Sequence, residues 1–438
     1  MWCNVWGHSK KELVNSIVKQ TKNLQHSSMF NLTNAPSEKL ANKLVNISPG
    51  MNHVFFSDNG STAMEISIKI ALQYWNNLGI NKTKIATLEN GYHGDTFGSM
   101  SVGYVPEFFS RFKSKLFSSI KFPVPNKYRL PKNYTISDYQ NLCLEKIEKR
   151  LSTDNSIAAF IMESGAQMAG GVIIYPKNFQ KQISKICKNN DVLFILDEIA
   201  TGFGRLGSMI EYESQHSRPD IVSFGKMLTG GYLTFAATLT TKKIYDAFLD
   251  NFYEMKHLFH GHTYTGNPIA ASLSLTNLTL YKKYNLIQKI QRTAKIFQDR
   301  MNEFYELELV GDVRTKGMVM GIELVENKRK KIPLKTKKSI NKLVFEEGKK
   351  HNVYFRTLGN IVMLVPPLSI SRNEIQLQDE LVVKGEINNL PLYLVNSDNI
   401  KGLQFDVNLP AAKKSFTWTL TAESNAAYNF QELDGAAN

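Results

Sequence analysis

Short, predominantly apolar runs bounded by polar residues or glycine recur along the first half of the chain: Val54–Phe56, Ile85–Leu88, Ile157–Met162, Val192–Leu196 and Asp220–Phe224. Apolar runs of this length read as strands buried on both faces. Between them the apolar positions change to helical spacing, as at Met64, Ile68, Ala71, Leu72 and Trp75, and again at Phe179, Ile183 and Ile186. Strands alternating with helices from residue 54 to about 240 predict an α/β architecture with a mostly parallel, doubly wound sheet. Helical patterns at Leu13, Ile17, Val18 and Leu24, and at Leu40, Leu44 and Val45, precede it, and Ser48-Pro-Gly50 stops the second. After Thr240 a long helical pattern reaches about Tyr305, and Val310–Leu324 and Val353–Leu368 predict strands of a smaller α+β unit. The expected division is 1–30, an N-terminal segment of the small domain; 31–275, the large domain; 276–375, the C-terminal small domain; and 376–438, an atypical β-rich tail.

Two of the core runs deliver opposite charges. Val192–Leu196 leads to Asp197, and Asp220–Phe224 leads to Gly225 and Lys226. The carboxyl ends of strands in an open α/β sheet are where ligands bind. Taken singly, an aspartate there is usually a turn residue and a lysine a solvated one. Taken together they match one cofactor, pyridoxal 5'-phosphate (PLP), which requires an amine for its Schiff base and a carboxylate at its ring nitrogen.

Such a cofactor also needs a phosphate cradle and a ring-stacking group. Ser57-Asp-Asn-Gly-Ser-Thr62 lies between a predicted strand and an amphipathic helix, and Thr62 and Glu65 have capping-box spacing. A glycine turn into a helix N-terminus offers unpaired backbone N–H groups to an anion, although an ordinary capped helix has the same pattern. Glu89–Gly98 places Tyr92 and His93 between glycines after another strand, where a ring can stack on a planar group or simply occupy a surface turn. Ile157–Met162 ends at Glu163, followed by Gln167 and Gly170-Gly171.

Composition narrows the classes. The 438 residues are 42% hydrophobic, enough for two or three domains. Three scattered cysteines form no CxxC pair and suit a reducing cytoplasm. The net charge of +14 raises nucleic acid or a membrane surface as partners, but the lysines are dispersed, and the densest group, at Asn327–Ile332, reads as a solvated loop. No zinc-ligand spacing, no GxxxxGK[ST] loop, no apolar run of membrane length and no signal-peptide pattern is present. The expectation is a soluble cytoplasmic protein with no metal, nucleic-acid or membrane partner.

The strings FFSDNGSTAMEISIKIALQYW, GYHGDTFGSMSVG, LDEIATGFGRLG, FGKMLTGG and HGHTYTGNP together resemble the class III, fold-type I PLP-dependent aminotransferases over residues 1 to about 375. The resemblance implies Lys226 as the Schiff-base and proton-moving lysine, Asp197 as partner of the pyridine nitrogen and Tyr92 as the stacking ring. It implies Gly60 and Ser61 in the phosphate turn, and Thr263 reaching the phosphate across a homodimer interface. Trp2 and Gly261 fall in the substrate site, and Arg356 in FRTLGN is the expected partner of a substrate carboxylate. The strings are most similar to members that aminate 8-amino-7-oxononanoate to 7,8-diaminononanoate in biotin synthesis, with S-adenosylmethionine or lysine as donor. WCNVWGH, GGYL and FRTLGN are nearer the lysine-using branch.

Ser164 and Met168 stand where the family usually has proline and glycine, and the tail alternates like part of a β-sandwich at 381–383, 390–395, 403–407 and 416–420. Two alternatives stay open. One is another class III ω-amine aminotransferase; the other is an inactive PLP fold joined to a β interaction module.

Overall fold

The computed structural model describes residues 2–350 and 353–371, together with the strands Phe405–Asn408 and Ser415–Trp418. Of the tail's alternating runs, those at 381–383 and 390–395 lie outside the described residues, while the other two overlap the antiparallel pair Phe405–Asn408 and Ser415–Trp418. No helix among the described residues is long and apolar enough to cross a membrane. The chain divides into two compact units, the first comprising 1–302, 312–321 and 365–370, the second 303–311, 322–364 and 371–438.

The first unit is built on a seven-stranded sheet. Its strands, with the hairpin that interrupts them, are β1 (His53–Ser57), β2 (Lys84–Leu88), β3 (Ile120–Phe122), β4 (Ile157–Glu163), β5 (Ala166–Gln167), β6 (Ile173–Ile174), β7 (Leu193–Asp197), β8 (Ile221–Phe224) and β9 (Ala236–Thr240). The order across the sheet is β1-β9-β8-β7-β4-β2-β3, with β5 and β6 paired to each other alone. Every neighbour pair is parallel except the two made by β9. The six other strands therefore run one way, and the loops leaving β1, β2, β4, β7 and β8 share one edge.

The continuous apolar runs are explained by burial on both faces. Phe160, Met162, Phe194, Leu196, Val222 and Phe224 belong to one core cluster, and the residues alternating with them, Ala159, Ile161, Leu193, Ile195 and Ile221, to another. Helices α1 (Lys11–Asn23), α2 (Ala35–Ile47) and α3 (Gly60–Asn77) follow the predicted patterns. The apolar stripe of α3, including Met64, Ile68, Ala71 and Trp75, is buried in the second cluster.

One local expectation is corrected. The cap of α3 is Asn59, whose side chain accepts the Thr62 N–H while the Thr62 hydroxyl accepts the Asn59 N–H, each at 3.1 Å. Thr62 is thus the far member of the box rather than its start. Glu65 instead serves the next helix, α4 (Phe97–Val102), where Oε1 accepts the N–H of Gly98 at 2.8 Å and of Ser99 at 3.1 Å. A carboxylate at a helix start satisfies donors the helix cannot.

In the second unit Arg356–Leu358 pairs antiparallel with Ile361–Leu364, and Val325 and Asn327 pair with the short strand Ile332–Pro333. The helix Ile340–Lys350 packs against Arg356–Leu358.

Candidate active site

The loops at the shared edge of the sheet assemble most of the residues singled out from the sequence. Asp197 ends β7, and its strand partners are Glu163 at the end of β4 and Ser223 on β8. Its carboxylate is buried, with Oδ1 accepting the Ile199 N–H at 2.9 Å and Oδ2 lying 2.9 Å from His93 Nδ1. Because a carboxylate oxygen accepts, the imidazole donates from Nδ1.

Lys226 begins a short turn of helix, Lys226–Thr229, two residues past β8. Its backbone is left-handed, φ 45°, which is costly for a residue with a Cβ and clusters at functional sites. Burial pulls its amine below the ordinary lysine value, while Asp197 and Glu163 oppose that shift. A lowered amine is more often neutral and so a better nucleophile. The ring of Trp2 lies 5.6 Å from Nζ, placing the start of the chain over this lysine.

The turn after β1 supplies Gly60 and Ser61 at the first positions of α3. A Cβ at Gly60 would stand 2.8 Å from Ile199 Cγ2, so no side chain fits between this turn and the loop after Asp197. Ser61 Oγ accepts the Asp95 N–H at 3.0 Å, and Gly94, at φ 124°, leaves no room for a Cβ against Ser61. The N-terminus of α3 and the Tyr92 loop are thereby locked together.

Tyr92 donates its hydroxyl to Asp95 at 2.8 Å and lies nearly parallel to the Phe109 ring, with centroids 6.0 Å apart. Its N–H is held by Glu163 Oε1 at 3.2 Å, and Glu163 Oε2 takes the Met168 N–H at 2.8 Å.

Gly261 and Thr263 stand exposed on the segment before the helix Pro268–Lys283. That segment is anchored by Thr265, which donates to the Phe56 carbonyl at 2.8 Å, and by His262, 3.4 Å from Asp58. Aromatic side chains around it are strongly exposed, Phe252, Tyr253, Phe259 and Tyr264 among them. Arg356 opens its strand in the second unit, half-buried and paired with Met363.

Two further features emerge from the geometry. His93 and Glu163, given no acid–base role in the sequence, meet Asp197 here; the signal was that one follows β2 and the other ends β4 on the same edge. Gly202-Phe-Gly-Arg-Leu-Gly207 has the G-x-G-x-x-G spacing of a dinucleotide loop, yet turns run from Glu198's neighbours to Ile210 before the helical turn Glu211–Ser214. Its Arg205 is fully buried and donates to the carbonyls of Pro366 and Met318 at 2.7 and 3.3 Å, a structural role.

The arrangement fits PLP on its own chemistry. A buried carboxylate at a strand end, a lysine with a perturbed amine and a side-chain-free turn at a helix N-terminus are the donors that a pyridine nitrogen, an aldehyde and a phosphate require.

The class-III aminotransferase family model matches residues 1–383. The adenosylmethionine-8-amino-7-oxononanoate aminotransferase of Aquifex aeolicus is 42% identical over 383 residues, spanning 85% of this chain and 83% of the relative. The crystal structure of the enzyme of that name from Methanocaldococcus jannaschii superposes with a TM-score of 0.79 at 42% identity, over 86% of this chain and 84% of the other. An omega transaminase from Pseudomonas jessenii in complex with PMP superposes with a TM-score of 0.81 at 28% identity, over 85% of this chain and 83% of that one.

Proposed function

This chain belongs to the class-III aminotransferases, and from that premise we propose that it transfers an amino group to 8-amino-7-oxononanoate, giving 7,8-diaminononanoate for biotin synthesis. The family's reaction is PLP-dependent transamination. The observation that carries the residue assignment is the placement of Asp197 and Lys226 at the same edge of adjacent parallel strands, one carboxylate and one lowered amine. The acceptor is supported by the 42% identity to enzymes named for it. S-adenosylmethionine or lysine is the donor.

PLP, when bound, supplies the carbonyl that exchanges nitrogen and a conjugated ring that accepts an electron pair. Lys226 Nζ would hold the cofactor's carbonyl carbon, and as a free amine would carry a proton away from the substrate carbon that bears the donor nitrogen. Asp197 holds a proton at the ring nitrogen, and His93 holds Asp197. Tyr92 would cover one face of the ring. Gly60 and Ser61 would offer backbone N–H groups to the phosphate. Trp2 and Gly261 line the route of the substrate, and Arg356 takes a substrate carboxylate.

Thr263 is exposed, and with the exposed aromatics of residues 252–264 it supports a homodimer in which it completes the partner's phosphate site. The free thiols Cys3, Cys143 and Cys187 suit the reducing cytoplasm, where we place the reaction.

The test is incubation of purified protein with 8-amino-7-oxononanoate and each donor separately, reading diaminononanoate by mass. Product with one donor identifies it. No product with either, alongside turnover of other ω-amines, transfers the assignment to the ω-amine aminotransferases. In parallel, Lys226→Ala should lose both the visible cofactor band and turnover.

A further inference from the structure

We propose that Glu163 is a positioning residue of this site, tying the Tyr92 loop to the 164–175 loop and setting a second carboxylate beside Asp197 that governs the charge presented to the cofactor. The inference rests on the assignment of Lys226 and Asp197 to the cofactor and adds a residue that assignment does not include.

Three observations carry it. Glu163 is the strand partner of Asp197, so two carboxylates end adjacent parallel strands on the same edge. Glu163 is buried, 4% exposed, and each oxygen has a separate task, Oε1 on the Tyr92 N–H and Oε2 on the Met168 N–H. A neutral amide at this position turns one of the two oxygens into an N–H donor, which would face the N–H that oxygen now accepts. The third is what faces it. His93 comes from the loop after β2, Asp197 from β7, Tyr175 from beyond β6 and Lys226 from beyond β8.

Two buried carboxylates side by side are costly unless cations answer them. The His93 Nδ1–H answers Asp197, and the Lys226 amine interacts with both carboxylates. Burial pushes Glu163 up to about 7, Asp197 adding to that shift and His93 opposing it. Its charge is thus adjustable near neutrality, and its ionised form favours a proton held at the Lys226 end of the site. Met168, whose side chain is buried, supplies one of the two N–H donors that Glu163 gathers.

The experiment uses the holoenzyme. The visible band of the bound cofactor is titrated with pH in wild type, Glu163→Gln and Glu163→Asp, and kcat is measured for each. Glu163→Gln should lower the midpoint of the band by about half a unit or more, since a nearby negative charge has gone. Glu163→Asp keeps the charge and loses reach, so its midpoint should stay with wild type while kcat falls severalfold as Tyr92 loosens. A Gln midpoint equal to wild type overturns the proposal, because a residue that merely props the loops does not move it. If the Gln variant does not fold, the Asp variant decides: an unmoved midpoint with reduced kcat supports the proposal, whereas a lowered midpoint or an unchanged kcat overturns it. Absence of any visible band in wild type instead sinks the underlying assignment of Lys226.

Discussion

His93 Nδ1 donates to Asp197 Oδ2 across 2.9 Å, joining the loop after β2 to the end of β7 with both side chains buried. Removing the imidazole leaves one carboxylate oxygen without its protein partner, at a cost of about 1–3 kcal/mol. His93→Phe should therefore reduce kcat about tenfold or more and weaken cofactor binding. Steady-state kinetics at saturating donor and acceptor, with cofactor titration by fluorescence, check both effects.

Gly60 has no space for a methyl group against Ile199. Gly60→Ala should force the phosphate turn and the loop after Asp197 apart, an overpacking cost of about 1–3 kcal/mol, and raise the cofactor dissociation constant about tenfold. Adding Ile199→Ala removes the opposing atoms and should recover part of the affinity. Equal affinity in wild type and the single variant refutes this account of the glycine.

Glu198, fully buried, accepts the N–H groups of Glu211 and Tyr212 and is pushed up to about 8 by burial. A carboxyl raised in the folded state destabilises that state wherever the unfolded chain is ionised and the folded one resists ionisation. The stability it allows is complete below about 4.5, the unfolded value, and declines as pH rises through about 8. Melting temperature should fall across that window, Glu163 contributing in the lower part of it. In Glu198→Gln the slope should flatten, whatever the change in absolute stability from the amide's missing acceptor. An unchanged slope by calorimetry contradicts the assignment.

Tyr253 is 91% exposed beside Phe252, an aromatic surface that an isolated domain rarely leaves bare. Tyr253→Glu should shift sedimentation equilibrium toward monomer and lower activity in proportion, since Thr263 is then denied to the partner. A monomeric wild type that is fully active overturns the dimer proposal.

Much of the large domain was legible because its central parallel strands are predominantly apolar, and runs as short as Leu193–Asp197 and Ile221–Phe224, framed by glycine and polar residues, favour strand over helix. Lys226, Asp197 and Tyr92 stood out because glycines and strand ends frame them. The role of Glu65 was misread for a physical reason. A carboxylate three residues after a threonine satisfies the capping pattern locally, yet its oxygens found better donors at Thr96, Gly98 and Ser99 across the loop. His93 and Glu163 were obscure because their partners lie 104 and 71 residues away in the chain, and only the strand order brings them together.

The left-handed backbone of Lys226 has an evolutionary reading. A glycine at this position would relieve the strain, whereas lysine adds about 1–3 kcal/mol of it. In a lineage released from catalysis, mutational drift would favour the residue that relaxes the turn, and the lysine would be among the earliest losses. The strain at Lys226 is what the proposed role of its amine requires, and it makes residue 226 the position at which a relative that keeps the fold without the chemistry would relax.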